Sequence, residues 1–266
     1  MQTRVDDFLK IGTSHRICQD YVISGMTPVP HVILADGCSS SDQTDTGARI
    51  LTYLARQYLI SRCDDLEQID YGHTGDWIIH RAKTIAQQLG LNRSALDATL
   101  MIAFIIGCQA RVMVYGDGVI GLVDYEGRRS FLEISFTGNA PYYLSYKIDS
   151  YRDQLYRGKY FMKQVGQDVV SPDSAADFIF SVSEYPIIIP ASDGIASFID
   201  KTGAKADLNE IFEQFTAFKN LNGAFLKRRV KRAVQNYEKS GLSHYDDLSV
   251  GAFLTEIQKS DPQTCK

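Results

Sequence analysis

The residues best placed to do chemistry are aspartates at the ends of apolar runs. His31-Val-Ile-Leu-Ala35 is too short for a stable helix and rich in β-branched residues, so it reads as a buried strand. Asp36 stops the run, and Gly37 lets the backbone turn tightly and approach a ligand. A plain Asp-Gly turn between two strands would look the same. The pattern returns far away, at Pro186-Ile-Ile-Ile-Pro-Ala-Ser-Asp193-Gly194, and two strands ending in Asp-Gly can bring their carboxylates together. Asp20 opens another candidate strand with Gln19 beside it, Asp246 opens a last one, and Asp117 sits in a Gly-Asp-Gly turn. His15, His31, His73, His80 and His244 are dispersed, and none joins the aspartates at ligand spacing. Hard oxygen donors without imidazole or thiolate favour Mg²⁺ or Mn²⁺ over Zn²⁺ or Cu²⁺. Several such carboxylates can hold two ions about 3.5–4 Å apart, the arrangement used for phosphoester hydrolysis.

The elements that must position these residues follow from periodicity. Leu51, Leu54, Ala55, Tyr58 and Leu59 share a helical face, with Thr44 or Asp45 available as a cap. A second helix is expected over about 76–89, capped by Asp76 and ended by Gly90. Residues 97–136 read as a set of antiparallel strands, Thr99 to Ile106, Ala110 to Tyr115, Val119 to Tyr125 and Phe131 to Phe136. From 138 to 180 the periodicity is lost, and tyrosines 142, 143, 146, 151, 156 and 160 are scattered through a long excursion. Such an excursion is either functional or a lid packed over the core. Ile187 to Ile189 is a buried strand, with a short helix starting near Ile195. Asp207-Leu-Asn-Glu210 is a capping box before a helix that buries Leu208, Ile211, Phe212, Phe215 and Phe218. The next helix, about 223–238, carries a basic face of Lys227, Arg228, Arg229, Lys231 and Arg232, which reads as a solvated face. Leu248 to Leu254 is the last strand.

The 266 residues suit one large domain or two small ones, and one α/β domain of this size can bury a full core. A net charge of -4 leaves no electrostatic footprint for nucleic acid or an anionic membrane. The longest apolar run, Leu100 to Ile106, is far below the roughly 20 residues needed to span a bilayer. The N-terminus lacks an apolar signal core. Five cysteines without a Cys-x-x-Cys pair indicate neither a disulfide framework nor a zinc ribbon, which points to a reducing cytoplasm.

The order of these motifs resembles that of the metal-dependent protein phosphatases of type 2C, in a divergent bacterial form. Gln19-Asp20 stands where the family has Glu-Asp, and Ala35-Asp36-Gly37 is its Asp-Gly, with Gly47-Ala48 in the helix behind. Asp97-Ala-Thr-Leu100 is similar to the Gly-Thr-Thr-Ala strand, Tyr115-Gly-Asp117 to Gly-Asp, and Ser192-Asp-Gly194 to Ser-Asp-Gly. Asp246-Asp-Leu-Ser-Val250 matches the closing Asp-Asn/Asp-x-Thr/Ser-Val. The resemblance spans roughly residues 12–254.

It implies an α+β fold, a four-layer α/β/β/α sandwich of two central antiparallel sheets flanked by helices, as one catalytic domain over 1–266 with a variable flap at about 138–180. It implies that Asp36 bridges two metals, that the Gly37 carbonyl helps hold one, and that Asp193 and Asp246 complete the first. Asp20 would support the second, and Asp117 would serve a third together with Asp193. The expected activity is hydrolysis of phosphoserine and phosphothreonine on proteins in signalling, with Mn²⁺ or Mg²⁺ as cofactor and a hydroxide on the metals as nucleophile. The expected partner is a phosphoprotein substrate, with no nucleic acid and no membrane, and the chain is expected to be a cytoplasmic monomer.

Several positions depart from the family. Its phosphate-binding arginine is His15 here, with Arg16 adjacent as a substitute, so either contacts the phosphoryl oxygens. Gln19 replaces a glutamate, and Cys38 stands where eukaryotic members have a histidine proposed as general acid. Cys38 is followed by Ser-Ser-Ser-Asp and not by an arginine-bearing phosphate cradle, so it is not read as a nucleophile. These departures motivate two alternatives: a catalytically weak regulatory or binding domain that kept the fold, and a small-molecule phosphatase.

Overall fold

Three apolar layers organise the computed structural model, which describes residues 1–157 and 176–256 in full and, between them, the backbone of 160–164 and 167–169. The strands are β1 (Gln2–Lys10), β2 (Tyr21–Gly25), β3 (His31–Ala35), β4 (Leu100–Ile106), β5 (Gln109–Tyr115), β6 (Gly118–Val123) and β7 (Arg129–Phe136). They continue as β8 (Tyr160–Gln164), β9 (Gln167–Val169), β10 (Asp177–Ser181), β11 (Ile187–Ala191), β12 (Phe198–Ile199), β13 (Ser243–His244) and β14 (Leu248–Glu256). The helices are α1 (Thr44–Ser61), α2 (Tyr71–Gln88), α3 (Ser150–Tyr156), α4 (Leu208–Thr216) and α5 (Phe225–Ser240).

One sheet has seven strands in the order β1-β14-β11-β6-β7-β8-β9, and the other five in the order β10-β5-β4-β3-β2. The pairings are antiparallel. Leu34, Met101 and Val114 of one sheet meet Ile120, Ile188 and Phe253 of the other in the central layer. On the outer face of the five-stranded sheet, Leu51, Leu54 and Tyr58 of α1 and Ile78 and Ala82 of α2 cover Ile33, Ile102 and Phe104. On the outer face of the seven-stranded sheet, Ile211, Phe212 and Phe215 of α4 and Val230 of α5 cover Ile189 and Val250. The result is the four-layer α/β/β/α sandwich that the sequence led one to expect. It also explains why β3 reads as an unbroken apolar run: all five of its residues are buried, because both faces of the strand are covered.

The differences lie at element ends. β1 was not anticipated; it pairs with β14 along its whole length, from Gln2 opposite Glu256 to Lys10 opposite Leu248. Thr44 does not cap α1. The preceding Gln43 is left-handed at φ 61° and makes no side-chain cap. The Thr44 hydroxyl instead donates to the Cys38 carbonyl at 3.2 Å and accepts from Gln19 Nε2 at 2.7 Å. α2 starts earlier than expected, because Asp70 accepts from the His73 amide at 2.7 Å, while Asp76 lies inside the helix and meets Lys147 at 2.6 Å. Asp207 does cap α4, accepting from the Asn209 amide at 2.6 Å. The strands read as one set over 97–136 are shared between the sheets, and the chain changes sheet at Gly116-Asp117.

The expected flap begins with single turns at 137–139 and 144–148 and then α3. Residues 158–159, 165–166 and 170–175 of that stretch lie outside the described residues, as do 257–266 with Cys265. Cys18, Cys38 and Cys63 are free thiols, but Cys108 is disulfide-bonded, which removes the cysteine argument for a reducing compartment. Among the described residues no helix is long and apolar enough to cross a membrane.

Candidate active site

The five aspartates singled out from sequence come together at one end of the sandwich. Asp20 precedes β2 and Asp36 follows β3 in the five-stranded sheet. Asp117 enters β6, Asp193 follows β11 and Asp246 leads toward β14 in the other sheet. The backbone holds them firmly. Thr99 brackets Asp36, its amide donating to the Asp36 carbonyl at 2.8 Å and its hydroxyl accepting from the Asp36 amide at 3.0 Å. Two glycines let segments cross where no side chain fits: a Cβ on Gly194 would lie 1.7 Å from the Asp247 carbonyl oxygen, and one on Gly37 would lie 2.8 Å from the Thr44 side chain.

Packing these acids together, away from water and against one another, strains their ionisation. Burial, and then the charges of Asp20 and Asp193, push the Asp36 carboxyl well above the usual range. Burial raises Asp20 as well. Its Oδ2 accepts from Ser192 Oγ at 2.8 Å, while Oδ1 is buried and accepts no well-formed hydrogen bond. Asp117 is pushed up to about 8 by burial and by the charge of Asp193, and Asp246 is raised for the same two reasons. Asp117, Asp193 and Asp246 line a cleft of about 430 Å³ together with Glu133, Asn139 and Lys205.

His15 and Arg16 part company. The His15 ring lies between Asp246 and Asp247, with Nδ1 2.9 Å from Asp247 Oδ2 and Nε2 3.5 Å from Asp246 Oδ1. Burial pulls its pKa down, but the Asp247 hydrogen bond and the surrounding carboxylates outweigh burial and raise it. Arg16 is exposed and makes no ion pair among the described residues. Asp247 is a residue the sequence reading passed over. It is buried and accepts from the Gly12 amide at 2.7 Å and the Gln19 amide at 2.6 Å, so it ties the loop before Asp20 to the loop carrying Asp246. The doubled Asp246-Asp247 was the available signal, but a sequence does not say which of two adjacent carboxylates faces inward.

Cys38 is half-buried beside Asp36, with Sγ 3.1 Å from Ser40 Oγ. Burial raises its pKa, and hydrogen bonds from Ser40, Tyr143 and Ser41 outweigh that and lower it. Tyr143 is the second residue the sequence left unassigned. Burial, then the proximity of Cys38, Asp117 and Asp36, holds its hydroxyl protonated.

Divalent cations suit the chemistry of this donor set. The side chains are all carboxylate, mutually repulsive, and include a buried oxygen without a good donor. Among the described residues, however, no group of three or more His, Cys, Asp or Glu is arranged to hold an ion. Asp246, for instance, accepts from the Asp247 amide at 2.9 Å and faces His15. Coordination would require these side chains to turn from each other to the ion.

Comparison with known proteins is consistent with this picture. A family model described as Protein phosphatase 2C matches residues 11–142. No curated protein matches the chain. The serine/threonine phosphatase Stp1 from Staphylococcus aureus is similar in structure, with a TM-score of 0.61 at 11% identity over 97% of this chain and 96% of that one. So is the serine/threonine phosphatase PstP/Ppp from Mycobacterium tuberculosis, with a TM-score of 0.54 at 14% identity over 96% of this chain and 99% of that one. A structure of the PstP catalytic domain in complex with two manganese ions gives a TM-score of 0.51 at 14% identity, covering 95% of this chain and 97% of that one. At these identities the structural likeness concerns the fold.

Proposed function

The chain belongs to the protein phosphatase 2C family, whose members are serine/threonine protein phosphatases, and on that premise we propose that it hydrolyses phosphoserine and phosphothreonine on proteins at a binuclear Mn²⁺ or Mg²⁺ centre. The observation that carries this reading is the convergence of Asp20, Asp36, Asp117, Asp193 and Asp246 from two sheets into one cluster, of which Asp117, Asp193 and Asp246 line the cleft. Asp36, Asp193 and Asp246 would hold one ion, Asp36 with Asp20 a second, and Asp117 with Asp193 a third, with the Gly37 carbonyl on one of the two ions that Asp36 shares. When bound, the ions supply an activated water and offset charge on the phosphoryl oxygens.

The chain's own residues do the rest. Thr99 fixes the height of Asp36 through two backbone-directed hydrogen bonds. His15 and Asp247 hold the loop of Asp246 against the loop of Asp20. Arg16, exposed and next to His15 in the chain, is a cation available to meet a phosphoryl group. We assign the whole chain to one domain acting as a monomer on phosphoprotein substrates.

The test is turnover of an aryl phosphate. Activity should appear with Mn²⁺ or Mg²⁺, vanish in EDTA and return on metal addition. Asp36→Asn should lower kcat by about 100-fold or more, because it removes the charge shared between two sites. Full activity in chelator would overturn the binuclear reading. No turnover with excess Mn²⁺ would favour the alternative, a binding domain that kept the fold.

A further inference from the structure

Asp97 is a buried acid with no task in the chemistry above, yet it joins separate segments of the chain. Its Oδ1 accepts from Ser145 Oγ at 2.6 Å, its Oδ2 from Ser41 Oγ at 3.0 Å, and both oxygens lie 2.9 Å from Arg152 Nη1. Its carbonyl accepts from the Cys38 amide at 2.8 Å. Cys38 and Ser41 belong to the loop that carries Asp36 out of β3. Ser145 and Arg152 belong to the segment that follows β7. The Arg152 guanidinium also lies over the Tyr146 ring, 4.6 Å from its centroid, and its Nε is 3.3 Å from Asp149 Oδ2.

The segment held in this way borders the cleft. Asn139 lines the cleft, and Tyr143 touches Cys38 and lies near Asp36 and Asp117. Asp97 and Arg152 are both largely withdrawn from water, so each needs the other. Drawing residues 144–156 away as a unit would uncover Asp97 and break the Ser145 and Arg152 contacts together. Arginine suits the place, because a planar guanidinium can face a carboxylate and stack on a ring at once.

We propose that Asp97 is a positioning residue: through Arg152 and Ser145 it clamps residues 143–157 to the Asp36 loop and so preforms, with Tyr143, one wall beside Asp36 and Asp117 for a phosphorylated peptide. The peptide part rests on the phosphatase reading; the clamp does not. A substrate that extends beyond its phosphoryl group meets this wall, whereas a small aryl phosphate does not.

Three variants test it: Arg152→Ala removes the cation, Arg152→Lys keeps charge without the planar fork, and Asp97→Asn keeps hydrogen-bonding atoms without charge. Each is measured for amide hydrogen exchange over 143–157 and for steady-state kinetics on a phosphothreonine peptide and on p-nitrophenyl phosphate with Mn²⁺. Arg152→Ala should speed exchange over 143–157 and raise KM for the peptide about tenfold, with kcat/KM for the aryl phosphate changed less than about twofold. Asp97→Asn should shift the same readouts in the same direction, and Arg152→Lys should recover part of the loss. Equal losses on both substrates would reveal a general structural fault and overturn the proposal, as would unchanged exchange with unchanged KM. If the parent protein hydrolyses neither substrate, the phosphatase reading fails, and the exchange measurement still decides the clamp.

Discussion

At the scale of single residues, the division of labour between His15 and Arg16 is the clearest outcome. The sequence left both open as the phosphate contact. The structure commits the His15 ring to Asp247 and Asp246, and leaves Arg16 exposed. Arg16→Ala should therefore raise KM for a phosphopeptide about three- to tenfold with kcat nearly unchanged, since it removes binding shared by ground and transition states. Initial-rate kinetics checks this, and an unchanged KM would turn attention to Lys205, the one cation among the residues lining the cleft. The convergence of the five aspartates was legible in the sequence because each stands at a strand end, four of them beside glycine or another acid and Asp20 beside Gln19. Asp97, Asp247 and Tyr143 were not legible. Their importance lies in contacts with residues 38, 12 and 19, and again 38, and distance along the chain hides such pairings.

At the scale of elements, apolar periodicity located α1, α2, α4, α5 and nearly every core strand, because each buries a continuous face. Boundaries were less legible, because several polar side chains compete for each helix start. In α2 the competition went to Asp70, which accepts from the His73 amide, over Asp76, which pairs with Lys147 on an exposed surface. Asp70→Ala should cost about 1 kcal/mol, the usual value of an N-cap. Asp76→Ala should cost well under about 1 kcal/mol, the usual value of an exposed ion pair. Parallel urea melts of the two variants give the comparison, and equal losses would mean that Asp70 does not act as a cap. β1 escaped notice because only one of its nine residues, Phe8, is buried, so its pattern lacks the alternation of a half-buried strand. Its place is set by the backbone ladder with β14, which no side-chain pattern announces.

At the scale of the whole molecule, folding hides His31 inside the sandwich at the start of β3. Its Nδ1 lies 2.8 Å from the Val29 carbonyl, its Nε2 is buried without a partner, and burial holds its pKa below the ordinary 6.5. The unfolded chain thus binds a proton that the folded chain resists. The contribution is fully present above about pH 6.5 and is lost as pH falls below it. In urea melts at a series of pH values, His31→Gln should show a shallower acid loss than the parent over this window, and an identical slope would remove His31 from the account. Taking the difference between the two proteins cancels the opposite trend from Asp20, Asp36 and Asp117, whose raised values favour the folded form as pH falls. The crossing of the chain from one sheet to the other at Gly116-Asp117 has a mechanical meaning too. The five carboxylates are the jaws of a calliper: Asp20 and Asp36 ride on one sheet, Asp117, Asp193 and Asp246 on the other, and the layer holding Leu34, Ile188 and Phe253 sets the gap. Trimming or enlarging a side chain in that layer would reset the opening of the jaws without touching them, so the depth of the core is a tuning screw for the distance between the two sets of carboxylates.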